Sequence, residues 1–338
     1  MASTKRTRIA DIAKQVGVST ATVSRALSGG GYVRDDVAAR IRTAALEMNY
    51  RVPQNLIGHK VLLAASHDAM IDFQRSQFTM YVLEGLRDRA QKLNIQIENY
   101  TFQSSDPNSE LRDKVASDDF LGVLLLTVDD ALLDFAQNLA CPVTLVNGDD
   151  PEMLLSSVSP CNRSAAAMAT KHLVDLNHER ILFLTKSGRR TIQRRQEGWQ
   201  DVMGARFDPN LVVEAADWTA EAAQIAIHKA LKDGLEFTGV VAAGDILAAG
   251  ALVALNQAGF KVPDDMSVIG IDGLPQGEYL SPPLTSVAIP MQAVGALSLD
   301  LICESAKYLE TDIRLPVRRI ELACKLAPRE TTGKNKGG

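Results

Sequence analysis

The alternation of short apolar runs with helical patterns constrains this chain most strongly. Six apolar runs predict strands, at residues 61–66, 121–126, 142–147, 180–185, 238–243 and 267–272. Seven helical patterns lie near residues 79–93, 109–117, 164–177, 192–204, 219–233, 245–259 and 291–309. This alternation is typical of parallel sheets buried on both faces. The length allows two such units, so we predict two doubly wound lobes that bind ligands beyond the carboxyl ends of their strands.

Charge separates a short N-terminal head from this body. Residues 1–60 carry ten Lys/Arg and four Asp/Glu, a net charge of +6, whereas the rest of the 338-residue chain carries a net charge of −11. A basic head on an acidic body predicts that the head meets a polyanion. The alternative is an accident of composition.

The sequence contains no residue pattern that indicates a cofactor or a metal site. The four cysteines (Cys141, Cys161, Cys303 and Cys324) are scattered without CxxC spacing, and the five histidines form no HxH or HExxH pairing. We therefore expect reduced, mostly buried thiols, no metal and no cofactor. No run of 18 apolar residues and no signal peptide is found, so we expect a cytoplasmic protein without a membrane partner.

The head has the pattern of three helices. The apolar face of the first helix consists of Ile9, Ile12, Ala13 and Val16. Thr7 can cap its start and Gly17 can end it, and Ser19 can cap a second helix after a turn of about three residues. Val23 and Leu27 lie on the buried side of the second helix. The apolar stripe of the third helix consists of Val37, Ile41, Ala44, Ala45 and Met48.

A helix, a short turn and a second helix at the basic end of a chain predict a helix-turn-helix that enters the major groove of DNA. Ser19 and Ser24 can bind phosphate oxygens. Thr20 and Ala21 can touch base edges, and Arg25 can donate a pair of hydrogen bonds to a guanine. The alternative is a three-helix packing unit that does not bind DNA.

The segment "IADIAKQVGVSTATVSRAL", followed by "ALEMNY", resembles the DNA-binding head of the lactose-repressor (LacI/GalR) family of bacterial regulators. The resemblance implies that Thr20, Ala21 and Arg25 read bases, with backbone contacts beside them. The full set of expected DNA contacts is Thr7, Ser19, Thr20, Ala21, Thr22, Ser24, Arg25, Tyr32, Tyr50 and Leu56.

The body resembles the effector domain of that family in "HLVDLNHERILFL", "RRQEGW", "VVAAGDILAAGAL", "GFKVPDDMSVIGIDG" and "SPPLTSV". The resemblance implies a small all-α helix-turn-helix head joined to an α/β two-lobe body with the fold of periplasmic sugar-binding proteins. We expect the head at residues 1–50, a linker or short hinge at 51–60, the body at 61–330 and a flexible tail at 331–338. Within the body, lobe one takes about 61–159 plus 290–321, and lobe two takes about 161–289 plus 322–330. Three crossings then form a hinge beside a ligand cleft.

The resemblance places effector contacts at Asn147, Arg195, Trp218 and Asp272. A carboxylate can accept from two sugar hydroxyls, a guanidinium offers five donors, and an indole can stack on a pyranose. Each residue has a structural alternative: a strand-end turn for Asn147, a surface ion pair for Arg195, a core position for Trp218 and a turn cap for Asp272. Arg190 and Asp245 complete the expected effector set.

Two departures from the family put its common sugars in doubt. Gly244-Asp245 stands where the family usually has Asn-Asp, and Cys161 stands where an aspartate is often found. The segment "SGRRTIQRR" adds Arg189, Arg190 and Arg194 beside Arg195. This cluster favours an anionic effector such as a sugar acid or phosphate, and the alternative is a solvated loop.

The linker "RVPQNLIGHK" (51–60) is a few residues short of the family's hinge helix, whose leucine wedges into the minor groove. Pro53 can open a helix, but Gly58 would close it within about one turn. Leu56 is the expected wedge, with Ile57 second. The alternative is that Leu56 packs the linker onto the body.

Three classes of function compete. We favour a ligand-responsive regulator, a repressor with activation as the alternative, that binds a pseudo-palindromic operator as a homodimer or a tetramer. The expected effector is a sugar, sugar acid or sugar phosphate, and the protein joins the bacterial nucleoid when bound to DNA. The second class is an enzyme on an α/β fold with a DNA-binding head, but the sequence has no GxSxG or Walker motif, no GxGxxG that opens a helix and no credible catalytic cluster. A transport protein would leave the basic head unexplained.

Overall fold

The computed structural model describes residues 8–28, 33–48, 58–66, 77–102, 107–126, 130–306 and 315–335. The chain divides into two compact units, Met1–Gly58 and His59–Gly338, which are called the head and the body.

The described residues of the head form three helices: α1 (Ile9–Val16), α2 (Thr20–Ser28) and α3 (Asp35–Glu47). Their contacts form a single apolar cluster around the fully buried Ile12, Val23 and Ile41. Gly17 ends α1 in the left-handed conformation, with φ 73°, and its N–H donates to the carbonyl of Ala13 at 2.9 Å. The predicted glycine cap and helix-turn-helix are confirmed.

The body contains two six-stranded sheets within its described residues. The strands are β1 (Lys60–Ser66), β2 (Gln96–Phe102), β3 (Phe120–Leu126), β4 (Val143–Val146), β5 (Ser156–Pro160), β6 (Ile181–Thr185), β7 (Val212–Glu214), β8 (Gly239–Ala242), β9 (Ser267–Asp272), β10 (Thr285–Ala288), β11 (Arg319–Leu322) and β12 (Lys325–Ala327). Sheet A has the order β11-β5-β4-β3-β1-β2, and sheet B has the order β12-β10-β9-β8-β6-β7. All pairings are parallel except β10 with β12.

Helices cover both sheets. They are α4 (Gln77–Leu93), α5 (Pro107–Ala116), α6 (Asp130–Ala136), α7 (Asn162–Asp175), α8 (Arg190–Met203), α9 (Ala220–Lys232), α10 (Asp245–Gln257) and α11 (Met291–Ala306). Lobe one is sheet A with α4, α5, α6 and α11, and lobe two is sheet B with α7 to α10. The chain passes between the lobes after β5, after β10 and after β11. This is the predicted fold class of a helical head with a two-lobe, doubly wound body.

The central strands form where apolar residues predominate. Every residue of β6, β8 and β9 is buried, since helices lie on both faces of the sheet. These strands, with β1, β3 and β4, are the six that the apolar runs predicted. The unpredicted strands include the exposed edge strands β2 and β7, whose residues alternate or are only half-buried.

The C-terminal segment corrects one expectation. Residues 331–338 were expected to form a flexible tail, but Thr331 is fully buried beside sheet B. Its hydroxyl donates to the carbonyl of Val268 at 2.6 Å and accepts from the N–H of Thr285 at 2.8 Å. The carbonyl of Gly333 accepts a hydrogen bond from His178 at 3.0 Å. The segment is therefore ordered through Asn335, because its polar groups complete the hydrogen bonding of lobe two.

A smaller correction concerns the start of α1. Arg8, not Thr7, occupies the N-cap position, and the N–H of Arg8 donates to the Asp11 carboxylate at 2.8 Å. Thr7 itself lies outside the described residues. Asp11, in the first turn of the helix, thus stabilises the start of α1 by accepting from the N–H of the N-cap residue.

Candidate functional site

The first candidate site is the exposed face of α2. Four residues expected to contact DNA are exposed there: Thr20, Ala21, Ser24 and Arg25. Val23 and Leu27, on the other side of the helix, are buried against α1 and α3. Because the exposed side chains near the start of α2 are small, the helix backbone can approach a major groove closely.

The start of α2 is fixed by two hydroxyl groups. The Oγ of Ser19 accepts from the N–H of Thr22 at 3.0 Å, and the two hydroxyl oxygens lie 2.8 Å apart. Ser19 is therefore the N-cap that the sequence predicted. The phosphate contacts of Ser19 and of the half-buried Thr22 remain predictions. Both contacts must be compatible with the hydrogen bonds that cap the helix.

The side chain of Arg25 is exposed and accessible to an external partner. Its Nε donates to the carbonyl of Ala21 at 3.2 Å, which directs the side chain back along the helix toward Ser24 and Ala21. The guanidinium makes no other hydrogen bond or ion pair with the described residues. The remaining expected DNA contacts, Tyr32, Tyr50 and Leu56, lie outside the described residues, as Thr7 does.

The second candidate site lies at the carboxyl end of β9 in lobe two. Asp272 ends this strand with φ 139°, and its Oδ1 lies 3.1 Å from Nη1 of Arg195. The Nε of Arg195 donates to Oδ1 of Asn162 at 2.8 Å, and its Nη1 also donates to the carbonyl of Ala243. Both charged side chains are nearly buried, at 4% exposed for Arg195 and 10% for Asp272. Two residues that the sequence assigned to the effector are thus brought together as a buried ion pair.

Asp245 lies beneath this pair, at the first position of α10. Its Oδ1 accepts from the hydroxyl of Ser286 at 2.5 Å, and its Oδ2 accepts from the N–H of Leu274 at 2.7 Å. Burial, and then the neighbouring carboxylate of Asp272, raise the pKa of Asp245 to about 7. Burial also raises the pKa of Asp272, against the effect of Arg195. Because both of its oxygens are engaged inside lobe two, Asp245 fits a role of holding the turn after Asp272 better than the expected direct contact.

Trp218 packs against the position where the family pattern has an asparagine. A Cβ at Gly244 would lie 2.5 Å from Cζ2 of Trp218 and 3.2 Å from Oδ2 of Asp272. The indole therefore occupies the space of the missing side chain. The guanidinium carbon of Arg189 lies 5.1 Å from the centre of the Trp218 ring. A sugar that stacks on this face of the indole would have to displace Arg189.

Asn147 lies in lobe one, directly after β4. It adopts the left-handed conformation, with φ 53°, and its N–H donates to the carbonyl of Val158 at 2.9 Å. Its side chain is buried, and its Oδ1 accepts no hydrogen bond from the described residues. A buried amide oxygen without a donor is costly, so this atom is a candidate acceptor for a ligand hydroxyl.

The arginine cluster divides into two groups. Arg195 pairs with Asp272, and Arg194 pairs with Asp149 of lobe one at 3.0 Å and with Glu197 at 3.0 Å. These two charges are balanced inside the protein. Arg189 and Arg190 are half-buried at the start of α8.

Sequence reasoning missed three residues that build this region: Asn162, Asp149 and Arg319. Asp149 follows a strand end by three residues, and that position was a usable signal. The other two could not be found from local patterns, because Asn162 begins a helix and Arg319 begins an edge strand. Cys161, the departure at the first crossing, donates its thiol to the hydroxyl of Ser164 at 2.9 Å.

Comparison with known proteins identifies both units. Residues 8–53 match the family of bacterial regulatory proteins called lacI, and residues 170–332 match the periplasmic binding protein-like domain. The ribose operon repressor of Halalkalibacterium halodurans is 28% identical and is covered over 98% of both chains. The transcriptional regulator MalR of Streptomyces coelicolor is 30% identical, over 88% of this chain and 90% of its own.

Solved structures agree with this result. The transcriptional regulator CelR in complex with cellobiose superimposes with a TM-score of 0.73 at 25% identity, over 96% of this chain and all of its own. The lac repressor dimer bound to operator superimposes with a TM-score of 0.70 at 23% identity, over 97% of this chain and all of its own. The second likeness shows the fold alone.

The head and the polar cluster of the body together define a DNA-binding transcriptional regulator with a ligand-binding domain. The chain belongs to the lacI family of bacterial regulatory proteins. Within the described ranges, no helix combines the length and the apolar character that a membrane crossing requires.

Proposed function

We propose that this cytoplasmic protein is a repressor of carbohydrate or sugar-acid metabolism genes. It binds a pseudo-palindromic operator as a homodimer through α2, and a small molecule in the cleft between the lobes controls that binding. A change in the angle between the lobes alters the spacing of the two heads.

The observation that carries the proposal is the polar cluster at the carboxyl end of β9. Asp272 is held by Arg195 at 3.1 Å, and strand ends of this kind are the usual ligand sites of doubly wound sheets. Asn147 adds an acceptor that no described residue satisfies. A carboxylate and an amide oxygen suit the hydroxyls of a sugar. Arg189 and Arg190 favour a sugar that also carries a carboxylate or phosphate.

The names of the relatives support the class of ligand. One relative is a ribose operon repressor, and one structural neighbour was solved with cellobiose. Ribose, cellobiose and their acid derivatives are therefore the first probes.

A thermal-shift screen with these probes, followed by a mobility shift on the DNA upstream of the protein's own gene, tests the proposal. A compound that raises the melting temperature should also change the DNA shift. Asp272→Asn should abolish the response to that compound and leave DNA binding in its absence, whereas Asp233→Asn, an exposed control, should change neither. Chemical turnover of the compound would point instead to an enzyme.

The oligomeric state is part of the proposal. Sedimentation should give the mass of a dimer at micromolar concentration, or of a tetramer. A monomer bound to a half-site would contradict the proposal.

The linker adds a last element. Leu56 lies outside the described residues, and its wedge role stays a proposal. Leu56→Ala should reduce both operator affinity and the bend measured by circular-permutation gel shift, without a change in ligand affinity. Unchanged bending would show that the linker is only a tether.

A further inference from the structure

The carboxylate of Asp149 lies between two arginines that come from different lobes. Its Oδ1 lies 2.7 Å from Nη2 of Arg319, which begins β11 in lobe one. Its Oδ2 accepts from Nε of Arg194 at 3.0 Å, and Arg194 lies on α8 in lobe two. The contact with Arg194 crosses from one lobe to the other, and the contact with Arg319 stays within lobe one.

Arg194 continues into a chain of alternating charges inside lobe two. Its Nη1 donates to Glu197 at 3.0 Å, Glu197 lies 3.5 Å from Arg163, and Arg163 donates to Asp201 at 2.6 Å. The carboxylates of Glu197 and Asp149 raise the pKa of Arg194. These six side chains carry three positive and three negative charges, and the ion pair of Asp149 with Arg194 joins the lobe-one part of the network to its lobe-two part.

Asp149 is held in place by its own lobe. The carboxylate of the next residue, Asp150, accepts hydrogen bonds from the N–H groups of Glu152 at 3.0 Å, Leu154 at 2.8 Å and Leu155 at 2.9 Å. Arg319 also donates to the carbonyl of Asp150. The loop that carries Asp149 is thus rigid, and little conformational entropy is lost when its carboxylate meets Arg194.

The pair is also more buried than an ordinary surface ion pair. The side chain of Asp149 is 11% exposed, that of Arg319 22% and that of Arg194 33%. Exposed pairs contribute little because water screens them, whereas partly buried pairs interact more strongly. Water therefore screens this contact less than it screens an exposed ion pair.

The next residue on α8 connects this contact to the effector. Arg195 binds Asp272 at 3.1 Å, so consecutive arginines on α8 face the effector cluster and the other lobe. We propose that the Asp149–Arg194 pair is a clasp that holds the lobes at one angle in the ligand-free protein, and that its opening is a step of the effector response. The second half of this statement rests on the proposed function.

The distance between the lobes of the ligand-free, full-length protein tests the clasp. Fluorophores on unnatural amino acids at the exposed Asn138 of lobe one and Lys232 of lobe two report that distance by single-molecule energy transfer. An excess of unlabelled chain ensures that each dimer carries one labelled copy. Asp149→Asn should shift or broaden the distance distribution, and Asp149→Glu, which keeps the charge, should restore much of the wild-type distribution.

Asp201→Asn is the matched control, because it breaks an ion pair of the same network wholly inside lobe two. It should leave the distance distribution unchanged. If Asp149→Asn has the same urea midpoint of unfolding as Asp201→Asn but gives the wild-type distance distribution, the clasp does not exist. If Asp149→Asn does not fold, Arg194→Gln is measured in its place, and the same shift of the distance distribution is expected. A wild-type distribution for Arg194→Gln would likewise overturn the proposal. No ligand or DNA is present, so a negative result leaves the proposed function untouched.

Discussion

At the scale of single residues, Arg25 is the side chain of α2 best placed to read a base. Arg25→Ala should cost roughly 1–3 kcal/mol of operator affinity, because a paired contact to guanine is lost, and should relax specificity at one position in each half-site. Fluorescence anisotropy against a set of operators with single-base changes measures both effects.

Arg34→Ala provides the control for this measurement. Arg34 is an exposed arginine of the head, 3.9 Å from Asp36, and its loss removes the same charge. We expect only a uniform decrease in affinity. If Arg25→Ala also weakens every sequence equally, random DNA included, then Arg25 contacts phosphate.

Asp245 makes stability depend on pH in a defined direction. Its ordinary pKa of 3.8 is raised to about 7 by burial and by Asp272. Folding therefore takes up a proton between these two values, and the free energy of unfolding should fall as the pH rises through this range. Asp245→Asn removes this titration, so from about pH 5 to about pH 8 its stability should improve relative to wild type. Urea unfolding at the two pH values checks the sign, and an equal difference at both would contradict the shift.

At the scale of helices and strands, the elements with a uniform sequence pattern could be predicted, and the edge strands could not. The runs that became β3 and β6 are apolar at nearly every position, and α1 follows the helical period strictly. The three-residue β7 and the edge strand β2 carry polar residues because one side of each meets solvent. Their sequences therefore contain no uniform pattern.

The candidate site was predictable to the same extent. Asp272 and Asn147 stand at the ends of predicted strands, and Arg195 stands in a matching segment of its helix. The role of Arg194 could not be predicted, because its partner Asp149 lies 3.0 Å away in the other lobe. How two lobes meet is a property of the assembled body, which local sequence patterns do not contain.

The packing of α4 on α11 gives a test at this scale. A Cβ at Gly85 would lie 1.9 Å from the carbonyl oxygen of Gln292, and one at Gly295 would lie 2.1 Å from that of Val82. Gly85→Ala should push the helices apart and cost about 1–3 kcal/mol of stability. Urea unfolding measures this cost. Gln91→Ala, exposed on the same helix, should change stability by less than about 0.5 kcal/mol, and an equally mild Gly85→Ala would argue against the close approach.

At the scale of the whole molecule, effector and operator must be coupled in both directions. A sugar that weakens operator binding by some factor should itself bind the operator-bound protein more weakly by the same factor. Titration calorimetry of the sugar with and without operator checks the equality. Two unequal factors would mean that a further species, such as a second oligomeric state, takes part.

The interleaving of the lobes also determines the order in which the protein can be completed on the ribosome. Lobe one begins with β1, yet its close helix partner α11 and its edge strand β11 come from the last 50 residues. Lobe two likewise waits for β12 and for the buried Thr331. A nascent chain therefore carries two unfinished cores until α11, β11 and β12 have been made. A chain that stopped near residue 315 would lack β11 of sheet A and β12 of sheet B, so neither lobe would be complete.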